Sequence, residues 1–217
     1  YEDKHHFPVE FVGHPLIDAI YNQPIVDPVL FRKENQLNDK PIIAILPGSR
    51  KQEITKMLAV MLSVVNDFPD HQFVIAGAPS QEFSFYQKFI TQENIKFISN
   101  KTYDLLRNAT AALVTSGTAT LETALFKVPE VVCYKGSWAS YQIAKRIITL
   151  KYISLVNLIM DEEVVTELIQ EECNTKRIRE ELQKTLKTND RNTLLEKYAL
   201  LEEKLGGIGA SEKTATL

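Results

Sequence analysis

Cysteine is scarce in this chain. Cys133 and Cys173 are the only two in 217 residues and form no CxxC pair. That usage fits a reducing compartment rather than a disulfide framework, and Cys133, in an apolar run, reads as a core thiol. Positive charge is not concentrated either. The net charge is −3 and no dense basic stripe exists, which argues against nucleic acid as the main partner. No apolar run approaches the ~18 residues of a membrane span, and no signal-peptide pattern is visible. The four histidines, His5, His6, His14 and His71, lack metal-ligand spacing; His14 reads as a turn residue. No GxxxxGK[ST] phosphate loop is present. No internal repeat appears, and nothing is of low complexity before the tail.

What remains is an ordinary globular composition, 44% hydrophobic and 24% charged, suited to one or at most two domains. A chain of this length buries roughly 70% of its unfolded surface and needs no covalent staple. Tyr1 is not a natural start, so the expectation is a piece of a longer protein.

Val9 to Val12 reads as a short strand, closed by a turn at Gly13-His14-Pro15, since Pro15 moves His14 out of helical geometry. Leu16 to Tyr21 can form a helical turn, and 29–38 a short helix. Ile42 to Leu46 is an unbroken aliphatic run, as in a strand buried on both faces. A helix from Lys51 to Asp67 follows, with Ile54, Leu58, Met61, Leu62 and Val65 at helical spacing. Phe73 to Gly77 is the next strand. Ser80 is a candidate N-cap for a helix over Phe83 to Glu93. Ile95 to Ile98 is a strand, and Thr102 caps a helix to Asn108. Ala111 to Val114 is a strand that breaks at Ser116-Gly117-Thr118 and leads into a helix closed by Pro129. Glu130 to Lys135 is a strand and Ser137 to Thr149 a helix carrying Trp138 and Tyr141. Tyr152 to Ile159 reads as strand-like, with Asn157 in its middle, and Glu162 to Gln170 as helical. Residues 175–187 and 190–204 are charged amphipathic helices, and the tail from Gly206 reads as loose. Strands alternating with helices predict an α/β fold, a Rossmann-like parallel sheet with helices on both faces. Such sheets bind ligands at the carboxyl ends of their strands.

Two turns sit at those ends. In Pro47-Gly48-Ser49-Arg50, Gly48 lets the backbone approach a ligand and Arg50 offers a bidentate fork for phosphate. Ser116-Gly117-Thr118 exposes N–H groups at the positive end of a helix dipole. Glu122, one turn further, can accept from sugar hydroxyls. The structural alternatives stand beside these: a plain strand–helix turn with a surface Arg50, Ser116 or Thr118 as an N-cap, and Glu122 complementing the dipole. Two such turns on adjacent strands fit a nucleoside diphosphate sugar. Asn157, if buried, must satisfy its amide on backbone or ligand. Gln170-Glu171-Glu172, read as an acidic helix end, opposes the dipole; solvated acid is the simpler reading for Glu172.

These segments together resemble a known family. FVGHPL at 11–16, ILPGSRKQEI at 45–54, SGTATLE at 116–122, VVCYK at 131–135, YISLVNLI at 152–159 and ELIQEEC at 167–173 occur in the order seen in the lipid-A-disaccharide synthases, over roughly residues 8–175. The resemblance implies the carboxyl-terminal, UDP-binding lobe of a two-lobed glycosyltransferase-B architecture. It implies an inverting transfer of 2,3-diacylglucosamine from its UDP-sugar to the 6-hydroxyl of 2,3-diacylglucosamine 1-phosphate, giving a β-1,6 disaccharide and UDP in lipopolysaccharide biosynthesis. Neither a metal nor a cofactor is implied. Arg50 would stabilise the leaving UDP, with Gly48 and Ser49 beside it. Ser116, Gly117 and Thr118 would hold the pyrophosphate and Glu122 the ribose. Asn157, Gln170 and Glu171 would lie on the nucleotide or donor edge, Asn157 with a catalytic part on the leaving-group side.

The resemblance also implies an amino-terminal acceptor lobe, carrying the general base, that these residues do not include. The chain itself would be one nucleotide-sugar-binding domain, with 1–40 as lead-in and hinge and 188–217 as terminal helix and tail, and would bind UDP weakly without turnover. A cytoplasmic setting, peripheral contact with the inner membrane and a homodimer belong to the same expectation. The rivals are another UDP-sugar enzyme of this architecture, a UDP-N-acetylglucosamine 2-epimerase or a peptidoglycan glucosaminyltransferase, and a non-catalytic nucleotide-binding module.

Overall fold

The structure is a computed structural model that describes residues 5–136 and 151–216, the side chains of 188–190 excepted. The helix expected over 137–149, with Trp138 and Tyr141, lies outside the described residues.

Among the described residues six strands form one all-parallel sheet: β1 (Ile42–Leu46), β2 (Gln72–Gly77), β3 (Ile95–Ser99), β4 (Ala109–Thr115), β5 (Glu130–Tyr134) and β6 (Thr166–Ile169). Their order is β3-β2-β1-β4-β5-β6. The chain winds outward from β1 to β3, crosses back to β4, and winds outward again. The crevice between β1 and β4 is the switch point where such sheets take ligands.

The helices are α1 (Pro15–Tyr21), α2 (Pro28–Glu34), α3 (Lys51–Met61), α4 (Phe83–Gln87), α5 (Thr102–Asn108), α6 (Thr118–Leu125), α7 (Leu155–Met160), α8 (Thr175–Thr185), α9 (Thr188–Lys204) and α10 (Ala210–Thr216). Strand alternation divides the core between the two faces. Ile43 and Ile45 of β1 point into a cluster with Ile54 and Leu58 of α3 and Ile178 and Leu182 of α8. Ile42, Ala44 and Leu46 point the other way, toward Phe31 of α2 and Leu105 and Leu106 of α5. A third cluster joins Leu121 of α6, Val156 of α7 and Tyr198 and Leu201 of α9. Both faces of β1 are covered, which is why its sequence is apolar without a break. Each fully buried Ile or Leu contributes about 1.5–3 kcal/mol of transfer free energy.

Several elements differ from the sequence reading. Val9 to Val12 is irregular and not a strand. The long helix after β1 tightens to a 3-10 turn at Leu62–Asp67. Glu82, not Ser80, precedes α4, which ends at Gln87; the Ser80 hydroxyl instead donates to the Ser49 carbonyl at 3.2 Å. Thr102 is itself helical, with Lys101 at the cap position. Tyr152 to Ile159 is mostly the short helix α7, and Glu162 to Gln170 contains the edge strand β6. Gln170–Glu172 is therefore a 3-10 turn after a strand, and the expected clash with a helix dipole does not arise.

The tail is ordered too. The Asp18 carboxylate accepts from Gly209 N–H and Ser211 N–H, both at 2.7 Å, holding the start of α10 against α1. Gly13 and Gly206, at φ +99° and +87°, pack backbone to backbone; a Cβ on Gly206 would stand 2.9 Å from the Gly13 Cα. His14 fills the turn role expected of it. Its N–H donates to the Leu205 carbonyl at 2.8 Å, and its Nδ1 accepts from Leu16 N–H at 3.2 Å.

Candidate functional site

A cavity of about 420 Å³ opens at the carboxyl ends of β2, β1 and β4. Its walls are the two small-residue turns, 47–49 and 115–119, together with Ala76 to Pro79, Thr102, Glu53 and Glu122. A larger groove of about 620 Å³ lies at the opposite end of the sheet, among Asn38, Lys40, Pro69 and Asn94. It faces the amino ends of the strands, whereas such sheets take ligands at the carboxyl ends, so the smaller cavity is the better candidate.

The turn after β4 leaves the first amides of a helix open. Gly117 occupies the N-cap position of α6, and no side chain caps that helix end. Its first amides lack intrahelical acceptors and carry the positive end of the dipole. Thr118 is exposed beside them. The Ser116 hydroxyl is already engaged, donating to the Ile153 carbonyl at 2.9 Å. Ser116 thus braces the turn and keeps only its acceptor capacity for a ligand, a narrower part than the sequence suggests.

Glu122 stands in the second turn of α6, on the cavity wall. Burial raises its carboxyl above the ordinary value, and a hydrogen bond from the Tyr103 hydroxyl partly offsets that. Tyr103 packs on Phe126, with ring centroids 5.1 Å apart. Sequence reasoning missed Tyr103, since nothing in its local pattern shows that α5 delivers it to α6.

The turn after β1 differs from expectation. Gly48, at φ +97°, approaches a side chain of its own chain: a Cβ there would lie 2.2 Å from Glu53 Oε2. The Ser49 N–H donates to that same oxygen at 3.3 Å. Arg50 is exposed, sits at the cap position of α3 and does not line the cavity. Its guanidinium enters no ion pair among the described residues and is available beside the mouth.

Asn157 is fully buried on α7 and away from the cavity. Its Nδ2 donates to the Val165 carbonyl at 2.8 Å and to Glu167 Oε1 at 2.9 Å. Its Oδ1 accepts from Val164 N–H and Val165 N–H at 2.8 and 2.9 Å. Glu167 in turn accepts from Ile153 N–H and Ser154 N–H, both at 2.9 Å. The amide is spent, so Asn157 corrects from a group facing the donor to a fastener that reaches Ser116 through Ile153. Gln170 and Glu171 follow β6 at the same end of the sheet and do not line the cavity. Gln170 takes φ +52°, and its Nε2 is buried without a partner.

Among the described residues no group of three or more His, Cys, Asp or Glu side chains could hold a metal, and no helix is long and apolar enough to cross a membrane. Both cysteines are buried and in mutual contact.

The fold recurs in known structures. An S. aureus MnaA structure determined with UDP superposes with a TM-score of 0.62 at 15% identity, over 94% of this chain and 52% of that one. WaaG, a glycosyltransferase involved in lipopolysaccharide biosynthesis, gives 0.55 at 17% identity, over 90% of this chain and 52% of its own. These likenesses establish the Rossmann-like α/β lobe. Sequence relatives are closer. The lipid-A-disaccharide synthase of Idiomarina loihiensis is 35% identical over 98% of this chain and 58% of its own length. That of Syntrophus aciditrophicus is 37% identical over 96% and 56%, and that of Coxiella burnetii 36% over 98% and 57%. The chain thus spans somewhat more than half the length of these curated relatives. The lipid-A-disaccharide synthetase family model matches residues 1–214, and the chain belongs to that family.

Proposed function

We propose that this chain is the nucleotide-holding domain of a glycosyltransferase that makes the lipid A disaccharide. The donor is UDP-2,3-diacylglucosamine, the acceptor the 6-hydroxyl of 2,3-diacylglucosamine 1-phosphate, and the products a β-1,6 disaccharide and UDP. The observation that carries the reading is that the uncapped amide turn at 116–118 and Glu122 line one cavity at the switch point of the sheet. The UDP named in the MnaA structure, whose fold this chain shares over about half of that chain, supports it.

In this reading the amides of Gly117 to Ala119 take the pyrophosphate and Glu122 accepts from the ribose hydroxyls. Arg50, beside the mouth, supplies countercharge as the bond to the diphosphate breaks. Gln170 and Glu171 stand toward the donor sugar, and Asn157 acts only by holding the frame. No residue of the cavity is assigned as the base that deprotonates the acceptor. The lipid nature of both substrates places the reaction at a membrane surface.

Calorimetric titration with UDP tests the reading. Arg50→Ala and Glu122→Ala should each weaken binding about tenfold or more, the worth of a charge-assisted hydrogen bond. A folded chain that takes up no UDP refutes it.

A further inference from the structure

The two turns that face each other across the cavity are not equivalent. At 116–118 the amides of α6 meet no side chain. At 47–50 the position an anion would take is filled by the chain itself. Glu53, in the first turn of α3, folds back so that Oε2 accepts from the Ser49 N–H at 3.3 Å. Gly48 permits this, because its missing Cβ would otherwise sit 2.2 Å from Oε2 and 2.7 Å from the carboxyl carbon. The Ser80 hydroxyl holds the Ser49 carbonyl from the other side, fixing the peptide that offers the N–H.

We propose that Glu53 is an internal competitor for the phosphate site, a carboxylate that an incoming diphosphate must displace from the Ser49 N–H. The inference rests on the nucleotide reading above and deepens it. Among the described residues the cavity lining holds two carboxylates, Glu53 and Glu122, and no cation. A ligand with about two to three negative charges therefore enters against like charge. Glu122 has a sugar hydroxyl to accept from; Glu53, bonded to the backbone amide of a phosphate-type turn, stands where the ligand's own oxygen would bond. Once displaced, its carboxylate finds Lys56 one helical turn along. Glu53 thereby discriminates: a ligand needs enough phosphate charge density to take the amide, and an uncharged nucleoside gains nothing from displacing it.

The test compares UDP, UMP and uridine by calorimetry on the wild-type chain, Glu53→Gln and Glu53→Asp. Glu53→Gln removes the charge and should tighten UDP about tenfold, the size of one charge-assisted hydrogen bond no longer opposed. UMP should gain less and uridine should be unchanged. Glu53→Asp is one methylene too short to reach the Ser49 N–H and should tighten UDP in the same direction by a smaller factor; it carries the test if the glutamine variant does not fold. UDP affinity that is unchanged or weaker in both variants overturns the competitor role. Parallel loss of uridine affinity would show that Glu53 contacts the nucleoside instead, and also overturns it. If the folded wild-type chain binds neither UDP nor uridine, the nucleotide reading itself fails, an outcome distinct from these.

Discussion

Replacing Asn157 by alanine separates a frame residue from a ligand-facing one. The side chain closes four hydrogen bonds of 2.8–2.9 Å in a fully buried setting. Removing it leaves the Val165 N–H and the Val165 carbonyl without partners, while the Val164 N–H keeps the Glu162 carbonyl at 3.1 Å and Glu167 keeps Ile153 and Ser154. An orphaned buried polar group costs about 1–3 kcal/mol. Two of them, partly relieved by water entering the space, come to about 2–4 kcal/mol. That is a large share of the ~5–15 kcal/mol by which a domain is stable. At ~2–4 °C per kcal/mol for a chain of this size, the melting midpoint should fall by about 10 °C. Urea titration followed by circular dichroism measures the loss directly. UDP affinity should fall only modestly in the fraction that stays folded, because the damage reaches the 116–118 turn indirectly, through the Ile153 carbonyl that Ser116 holds. If Asn157→Ala lost under about 1 kcal/mol yet lost most UDP affinity, the side chain would be meeting ligand and the network argument would be wrong.

Three other outcomes follow from the same geometry. Glu130 is buried with neither carboxyl oxygen partnered, and burial pushes its pKa well up. The folded chain then keeps a proton that the unfolded chain releases above about pH 4.3, so its stabilising contribution is present below that value and is lost as pH rises toward the folded pKa. Glu130→Gln should match wild type near pH 4 and exceed it by about 1–3 kcal/mol at pH 8; equal denaturation midpoints at pH 8 would contradict this. Tyr103→Phe removes the hydrogen bond that offsets the effect of burial on Glu122. UDP affinity should weaken roughly threefold to tenfold, and its acid limb should move to higher pH; an unmoved pH profile would show that Tyr103 does not set the state of Glu122. Gly48→Ala must relieve both a φ of +97° and a contact with Glu53. It should cost about 1–3 kcal/mol and free the Glu53 carboxylate, visible as faster hydrogen exchange at Ser49.

The strands of the sheet's centre were plain in the sequence because both faces are covered. Ile42 to Leu46 and Ala111 to Val114 had to be apolar at every position. The two turns were legible for a related reason, since small residues interrupting such runs have few other uses. The region 152–172 was read in reverse, helix for strand and strand for helix. Leu155–Met160 is too short for its period to show. Thr166–Ile169 is an edge strand of the sheet, bonded to β5, and its two polar residues followed by two apolar ones show no strand alternation. What sets both is Asn157 and Glu167, whose hydrogen bonds hold α7, its lead-in and β6 together across ten residues or more. No window of local pattern contains that information. The same limit hid Glu53: its spacing from Ser49 is that of any helix-start acid, and only the fold of the loop shows that it takes the amide.

The join between the start and the finish of the described chain has a mechanical meaning. Gly13 is seated on Gly206, His14 on Leu205, and Asp18 grips the first amides of α10. The chain therefore enters and leaves the domain through one clasp, made of backbone contacts that tolerate no side chain at Gly206. A load applied to the entering segment passes directly to the departing helix. Motion of anything joined at either end would turn about that clasp as a single pivot.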